Sequence, residues 1–400
     1  MNSQQPIAYF NSNSNENYLC FGEGNRLILK DNVDFERLQQ FFDSCKDKFI
    51  YGYIGYDVKN SIEKLSSENS HQLEFPDIYF HVPETVVKLK NNDLEFIQGI
   101  DTKEARDFVR LFQKQLDCEM AEKIHPFQAR ISKNEYISAV NDLKQQIQQG
   151  NIYEINFCQE YFSDNNTIEN PIAVYSVINQ VTQAPFSVYL QHDDFHIFCG
   201  SPERFIQKKG TKITSQPIKG TAPRGKTQKE DEELKQYLAN NPKEISENVM
   251  IVDLVRNDLS KIAEKGSVNV DELFGIYTYK TVHQMISIIS CEISNTVTFT
   301  DVLKATFPMG SMTGAPKVSA MKLSEQYESF KRGLYSGTIG YILPNGDFDF
   351  NVVIRTLLYN SKKKYLSCGV GGAITINSDA EKEYEECETK VQKLLNALTN

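Results

Sequence analysis

The sequence predicts an α+β protein built mainly on antiparallel sheets. Strand-like runs follow one another with hairpin signals between them, such as Asn345-Gly346, which suits a two-residue turn. Long helical patterns are interspersed among these runs and do not alternate with single strands, as a doubly wound parallel sheet would require. A 400-residue chain with 40% hydrophobic and 24% charged residues has the composition of an ordinary globular protein, long enough for one large domain or a large and a smaller one.

The elements follow in order. Residues 1–125 mix short strand runs (Arg26 to Leu29, Phe49 to Gly55) with polar loops (Asn11 to Asn17, Ser66 to Gln72), and we separate this N-terminal region from a domain spanning 126–400. Ser132 and Glu135 form a capping box before Tyr136, Val140, Leu143 and Ile147, so a helix is predicted from about 133 to 149, ending at Gly150. Tyr153, Ile155, Phe157 and Tyr161 then alternate with Glu154, Asn156, Cys158 and Glu160, the period of a strand with one apolar face. Further strands are expected near 185–190, 195–199, 203–208 and 212–218. Thr227 to Lys265 reads as two helices in series, broken at Asn241-Pro242 because proline suits a helix's first turn. Strands at 281–291, 333–342, 348–360 and 365–376 precede a last helix capped by Ser378 with Glu381 and running to about 398.

Composition narrows the function. A net charge of −10 argues against nucleic acid or an acidic membrane as partner. No apolar run approaches the length of a membrane span. The eight cysteines are scattered without metal-ligand spacing or a secretory segment, so reduced thiols in the cytoplasm are expected. The six histidines show no zinc motif.

Several local patterns bear chemistry. Lys219 lies in QPIKGTAPRG, an apolar turn punctuated by Gly and Pro. Poor solvation there would lower its pKa toward a nucleophilic amine, and an exposed lysine in a tight turn is the plain alternative. In the second serial helix Glu244 and Glu247 extend the stripe of Ile251, Leu254 and Asp258; in the last helix Glu383 and Glu386 share a face with Lys390 and Leu394. Carboxylates from two helices suit Mg²⁺, and equally suit solvated helix starts favoured by the dipole. Phe307 to Lys317 sets Gly310, Ser311 and Gly314 before a helix that Pro316 can open, a place for an anion; CGVGG at 368–372 is expected between a strand and the last helix.

Together these segments resemble the chorismate-using enzymes, which include anthranilate, aminodeoxychorismate, isochorismate and salicylate synthases. The resemblance rests on GNIYEINFCQEY (150–161), GSPERF (200–205), PIKGTAPRG (217–225), SENVMIVDLVRNDL (246–259), VH (282–283), FPMGSMTGAPK (307–317), YSGTIGY (335–341), VVIRT (352–356), CGVGGAI (368–374) and EYEECETK (383–390). The first 125 residues match only loosely, through GYIGYD at 52–57. An LLES-like tryptophan-feedback motif has no clear counterpart, QPIAYFNSN at 5–13 being the nearest stretch.

The resemblance implies two large antiparallel sheets packed as a sandwich, helices outside, and a cleft where Mg²⁺ meets the ring carboxylate of chorismate. Glu247 and Glu386 match its metal ligands, with Glu244 and Glu383 beside them. Tyr335 and Arg355 match residues that grip the enolpyruvyl carboxylate. Ser311, Gly369, Gly371 and Lys390 match other substrate contacts, with Thr221 grouped among them, and His283 matches a ring-facing histidine. Glu203 takes the part of general acid and Lys219 that of nucleophile.

Lysine where anthranilate synthases resemble PIAGT points to the aminodeoxychorismate synthase branch, which aminates chorismate at C4 on the folate route. Isochorismate and salicylate synthases carry a lysine base upstream of the matching glutamate, whereas Leu190 to Pro202 contains no lysine, the nearest titratable candidates being His192 and His196. The implied partners are a separate glutamine amidotransferase supplying ammonia and a downstream aminodeoxychorismate lyase. The other readings are an anthranilate synthase that tolerates lysine, an isochorismate or salicylate synthase, and a silent chorismate-binding paralogue.

Overall fold

The computed structural model describes residues 5–14, 16–90, 93–121 and 123–399. Among these, two antiparallel sheets of 11 and 10 strands stack face to face. The first sheet runs in the order 314–315, 154–163, 365–374, 356–360, 195–201, 186–192, 7–11, 17–21, 85–90 and 93–98, with 128–129 paired to 154–163. The second runs 218–223, 282–292, 212–216, 204–209, 348–351, 338–342, 50–54, 78–81 and 26–29, with 269–278 paired to 282–292. Alternation along each strand sends one set of side chains between the sheets and the other outward. On strand 186–192, Val188 and Leu190 enter the inter-sheet core with Tyr51, Ile339 and Phe350. Tyr189 faces the outer core with Phe112, Tyr136, Tyr175 and Leu394, all from helices that cover this sheet.

Local signals explain most helix boundaries. Helix Lys133–Gln148 begins at the Ser132–Glu135 capping box. Asn241 caps helix Pro242–Ser260 by accepting from Lys243 N and Glu244 N, so the break after helix Gln228–Ala239 falls where proline requires it.

Four readings need correction. Strand Glu154–Ser163 has no solvent face: Glu154 and Glu160 are buried too, because helices pack on one side and the second sheet on the other. The last helix, Ala380–Thr399, is capped by Asp379, which accepts from Glu381 N and Lys382 N, while the Ser378 hydroxyl accepts from Thr375 N. CGVGG lies inside strand Tyr365–Ile374 and not after it. The 348–360 stretch is two strands, Phe348–Asn351 in one sheet and Thr356–Asn360 in the other. The first hundred residues give strands to both sheets, so the stretch distinguished by sequence texture is interleaved with the rest.

Two crossings between sheets lie side by side and set up the site. The chain leaves the first sheet at Ser201 and enters the second at Arg204, placing Glu203 in the passage. It returns between Asn351 and Thr356, placing Arg355 there with φ of 51°. Val352 N donates to Glu203 O at 3.0 Å and Gly200 N to Arg355 O at 3.1 Å, stitching the crossings together.

Candidate active site

Lys219 sits on the edge strand Ile218–Pro223, where a bulge interrupts the register with strand 282–292. Gly220 makes the bulge possible: its φ is 92°, and a Cβ there would lie 3.1 Å from Glu244 Oε2. The kink turns Lys219 inward, where it is 8% exposed and donates to Glu154 Oε1 at 2.7 Å. Glu154 is 1% exposed, and its Oε2 is buried without a hydrogen-bond partner. The sequence reading of the lysine's charge is reversed here. Burial alone would lower its pKa, but Glu154, Glu247 and Glu203 outweigh burial and hold it above 10.5, so the resting group is an ammonium.

Glu203, 4% exposed, behaves oppositely. Burial pushes its carboxyl up to about 7, against the smaller opposing effects of the Ser311 side chain and Lys219. A carboxyl half-protonated near neutrality is suited to donating a proton. A cavity of about 20 Å³ borders Glu203, Ser215, Asp258, Thr306 and Ser311, room for a single water-sized molecule.

The paired glutamates of the two helices face one another. Glu247 is 5% exposed, and burial raises its pKa to about 7 against the pull of Lys219. Glu383 is 3% exposed, Glu244 half-buried, and Glu386 nearly half exposed. Burial would raise the Glu386 pKa, but Lys390, 2.7 Å away, and Lys243 bring it below the usual value. Lys243 lies between the helices, 3.1 Å from Glu383 Oε1 and 3.8 Å from Glu247 Oε1. A cation in a helix's first turn opposes the dipole, so these carboxylates account for its place. Among the described residues no three His, Cys, Asp or Glu side chains converge on one point. Glu247 Oε1, buried without a hydrogen-bond partner though 3.8 Å from Lys243 Nζ, is an oxygen that a hard divalent cation could use, taking one carboxylate from each helix and completing its shell with water or substrate oxygen.

The remaining matched residues line the same region. A Cβ on Gly369 would lie 2.3 Å from the ring of Tyr335, so glycine is what lets that ring lie against the strand. A Cβ on Gly371 would lie 2.6 Å from Cys158 Sγ, and Lys390 Nζ donates to Gly371 O at 2.9 Å. Arg355 Nη1 donates to Lys390 O at 2.8 Å. Ser311 is held over strand 154–163, its carbonyl accepting from Asn156 Nδ2 at 2.9 Å.

Two predicted residues lie apart from this cluster in their contacts. His283 has both ring nitrogens engaged, Nε2 with Asp231 at 2.9 Å and Nδ1 with Thr278 at 2.9 Å, which ties it to helix 228–239 and strand 269–278. Thr221 is exposed on its edge strand, opposite Gln284. His192 is packed on Tyr79 and bonded to Tyr53 in the sheet interior, and His196 lies between Phe198 and Tyr359. Sequence reasoning missed Glu154 and Lys243. The signals were present: a carboxylate in a strand without a neighbouring cation, and a lysine against a helix dipole.

Comparison with known proteins bears on the family and the fold. The family model described as chorismate binding enzyme matches residues 3–396. The chain is 33% identical over 361 residues to aminodeoxychorismate synthase component 1 of Bacillus subtilis, covering 87% of this chain and 76% of that one. It is 32% identical over 382 residues to anthranilate synthase component 1 of Aquifex aeolicus, covering 91% and 76%. Anthranilate synthase component I from Streptococcus pneumoniae has a similar fold, with TM-score 0.83, 23% identity, and 96% and 92% of the two chains covered. So does the menaquinone-specific isochorismate synthase of Escherichia coli, with TM-score 0.79, 16% identity, and 100% and 89% covered.

Proposed function

The chain belongs to the chorismate-binding enzyme family, and from that premise we propose that it is the synthase component that aminates chorismate at C4, giving 4-amino-4-deoxychorismate. Relatives bearing the names aminodeoxychorismate synthase and anthranilate synthase are similar to nearly the same degree, so identity does not choose between these reactions. The observation that carries the reading is Lys219, a lysine buried beside Glu203 at the heart of the carboxylate-lined site. An amination at C4 by way of an enzyme adduct needs a buried nucleophile and a proton donor for the departing hydroxyl, and these two residues supply both.

In this proposal Tyr335 and Arg355 orient the enolpyruvyl carboxylate, for which a guanidinium offers a bidentate fork. Ser311, Gly369, Gly371 and Lys390 line the substrate. Lys219 as free amine adds at ring C2 while Glu203 protonates the C4 hydroxyl, which leaves as water. Ammonia then attacks C4 and expels the lysine, and the enolpyruvyl side chain is retained. Glu247 and Glu386, with Glu244 and Glu383 alongside, would hold Mg²⁺, whose charge neutralises the ring carboxylate. Ammonia would come from a separate glutamine amidotransferase, as the relatives' designation "component 1" suggests, and the product would pass to an aminodeoxychorismate lyase that yields 4-aminobenzoate for folate. Among the described residues no helix is long and apolar enough to cross a membrane.

The test is product analysis with chorismate, Mg²⁺ and an ammonium salt. Aminodeoxychorismate without pyruvate is the expected outcome. Anthranilate with stoichiometric pyruvate would refute the proposal, and isochorismate would do the same.

A further inference from the structure

Lys219 interacts with five carboxylates: Glu154 from strand 154–163, Glu203 from the sheet crossing, Glu244 and Glu247 from helix 242–260, and Glu386 from the last helix. Glu154 is the one given a hydrogen bond to its Nζ, at 2.7 Å. Its backbone is paired with Ala315 in the short strand Gly314–Ala315, and the run of pairs with strand 365–374 begins at the next residue, Ile155. A Cβ at Gly314 would lie 2.2 Å from Glu154 O, so that short strand is pressed directly onto it. The carboxylate therefore has little freedom to swing away from Lys219. Its second oxygen is buried and has no hydrogen-bond donor, which leaves one site on Glu154 able to receive a proton.

An ammonium has no lone pair with which to attack carbon, and a buried Nζ has little access to water as a base. Glu203 is needed in its protonated form for the leaving hydroxyl, and Glu247 has Lys243 3.8 Å away, one turn earlier on its own helix. We propose that Glu154 is the proton acceptor that turns the Lys219 ammonium into an amine and keeps the proton until the adduct is resolved. This rests on the reading of Lys219 as nucleophile in C4 amination.

The sequence balances. A proton passes from Lys219 Nζ to Glu154, giving amine and carboxylic acid. The Nζ–C2 bond forms, the ring double bonds shift, and the C4–O bond breaks as Glu203 gives its proton, releasing water and leaving a secondary ammonium. Ammonia forms the C4–N bond, the shift reverses, and the C2–Nζ bond breaks to return neutral lysine. The product ammonium returns a proton to Glu203, and Glu154 returns its own to Lys219. The net change is chorismate plus ammonia to aminodeoxychorismate plus water.

The inference is tested by the rate of protein–chorismate adduct formation, measured by rapid mixing and intact-protein mass spectrometry at saturating Mg²⁺ without ammonia. Wild type, Glu154→Gln and Glu154→Asp are compared between about pH 5.5 and 9, a range spanning the Glu203 titration. In wild type the lysine's proton stays inside the pair, so the rate is level below neutrality and falls above it as Glu203 ionises. In Glu154→Gln the proton must go to solvent, so the rate below pH 7 drops about tenfold per unit, and lies roughly a hundredfold or more under wild type at the acid end. Chorismate KM changes by less than about threefold, and aspartate restores part of the rate.

An adduct forming in Glu154→Gln at the wild-type rate with the wild-type profile overturns the inference and leaves the C4-amination reading standing. So does a loss that is equal at every pH and not relieved by aspartate, which marks a packing role. A wild-type protein that forms aminodeoxychorismate but no adduct overturns the inference and the nucleophile role of Lys219 while C4 amination stands, and one that forms anthranilate and pyruvate overturns all three.

Discussion

Replacing Glu203 by glutamine should stabilise the protein at alkaline pH while removing its activity. The Glu203 carboxyl is raised from 4.5 to about 7, chiefly by burial. A group whose folded pKa lies above its unfolded value binds its proton more tightly in the folded state, so its ionisation opposes folding as pH rises. The cost is absent below about pH 4.5, grows through the interval, and is complete above about pH 7. Raising a pKa over that interval corresponds to roughly 3 kcal/mol. Glutamine cannot ionise and avoids this cost, so the stability difference between Glu203→Gln and wild type should shift in the variant's favour by about 3 kcal/mol between pH 4.5 and 8. Urea denaturation in EDTA, without chorismate, measures it, since other groups titrating in the range cancel between the two proteins. Loss of the proton donor should lower turnover by about a hundredfold to ten-thousandfold. A stability difference that is the same at both pH values would show that Glu203 ionises normally and would remove the basis for its role as acid.

Two further substitutions probe the rest of the site. Gly369→Ala brings a methyl to within 2.3 Å of the Tyr335 ring, so the ring must move; we expect a stability loss of about 1–3 kcal/mol and a chorismate KM raised about tenfold, read from steady-state kinetics. Lys243→Met removes the cation between Glu247 and Glu383, and in EDTA the protein should lose about 1–2 kcal/mol, seen as a lower melting temperature. Added Mg²⁺ should abolish that difference and bind about tenfold more tightly by calorimetry, because it no longer displaces a lysine; unchanged affinity would place the metal elsewhere.

Features governed by local chemistry were legible in the sequence. Ser132 with Glu135 and Asn241 with Pro242 mark helix starts that the structure places at Lys133 and Pro242, because caps and proline act within a single turn. The stripe bearing Glu244 and Glu247 and the face bearing Glu383 and Glu386 were visible as acids extending apolar lines. Strand assignments failed where the chain changes sheets. A run such as 348–360 looks continuous because both halves are apolar, and no local signal says that Val352 to Arg355 crosses from one layer to the other. CGVGG is set after a strand by the sequence reading for a related reason: its glycines answer to side chains from elsewhere in the chain, Gly369 to the Tyr335 ring and Gly371 to Cys158.

The sequence by itself determined which functional groups the protein owns, their order, and the family they resemble, since those are properties of residue types and spacing. Tertiary structure decided the protonation state of the central pair of groups. The sequence leaves Lys219 between an amine made neutral by burial and an exposed lysine in a tight turn, whereas pairing with Glu154, 65 residues away in the chain, holds it as a buried ammonium. Glu203, in an equally dry place but without a cation in hydrogen-bond contact, is pushed the other way. Burial can be guessed from a pattern of apolar neighbours. The sign of a pKa shift depends on which charge sits within a few ångströms, and that distance is fixed by long-range strand pairing.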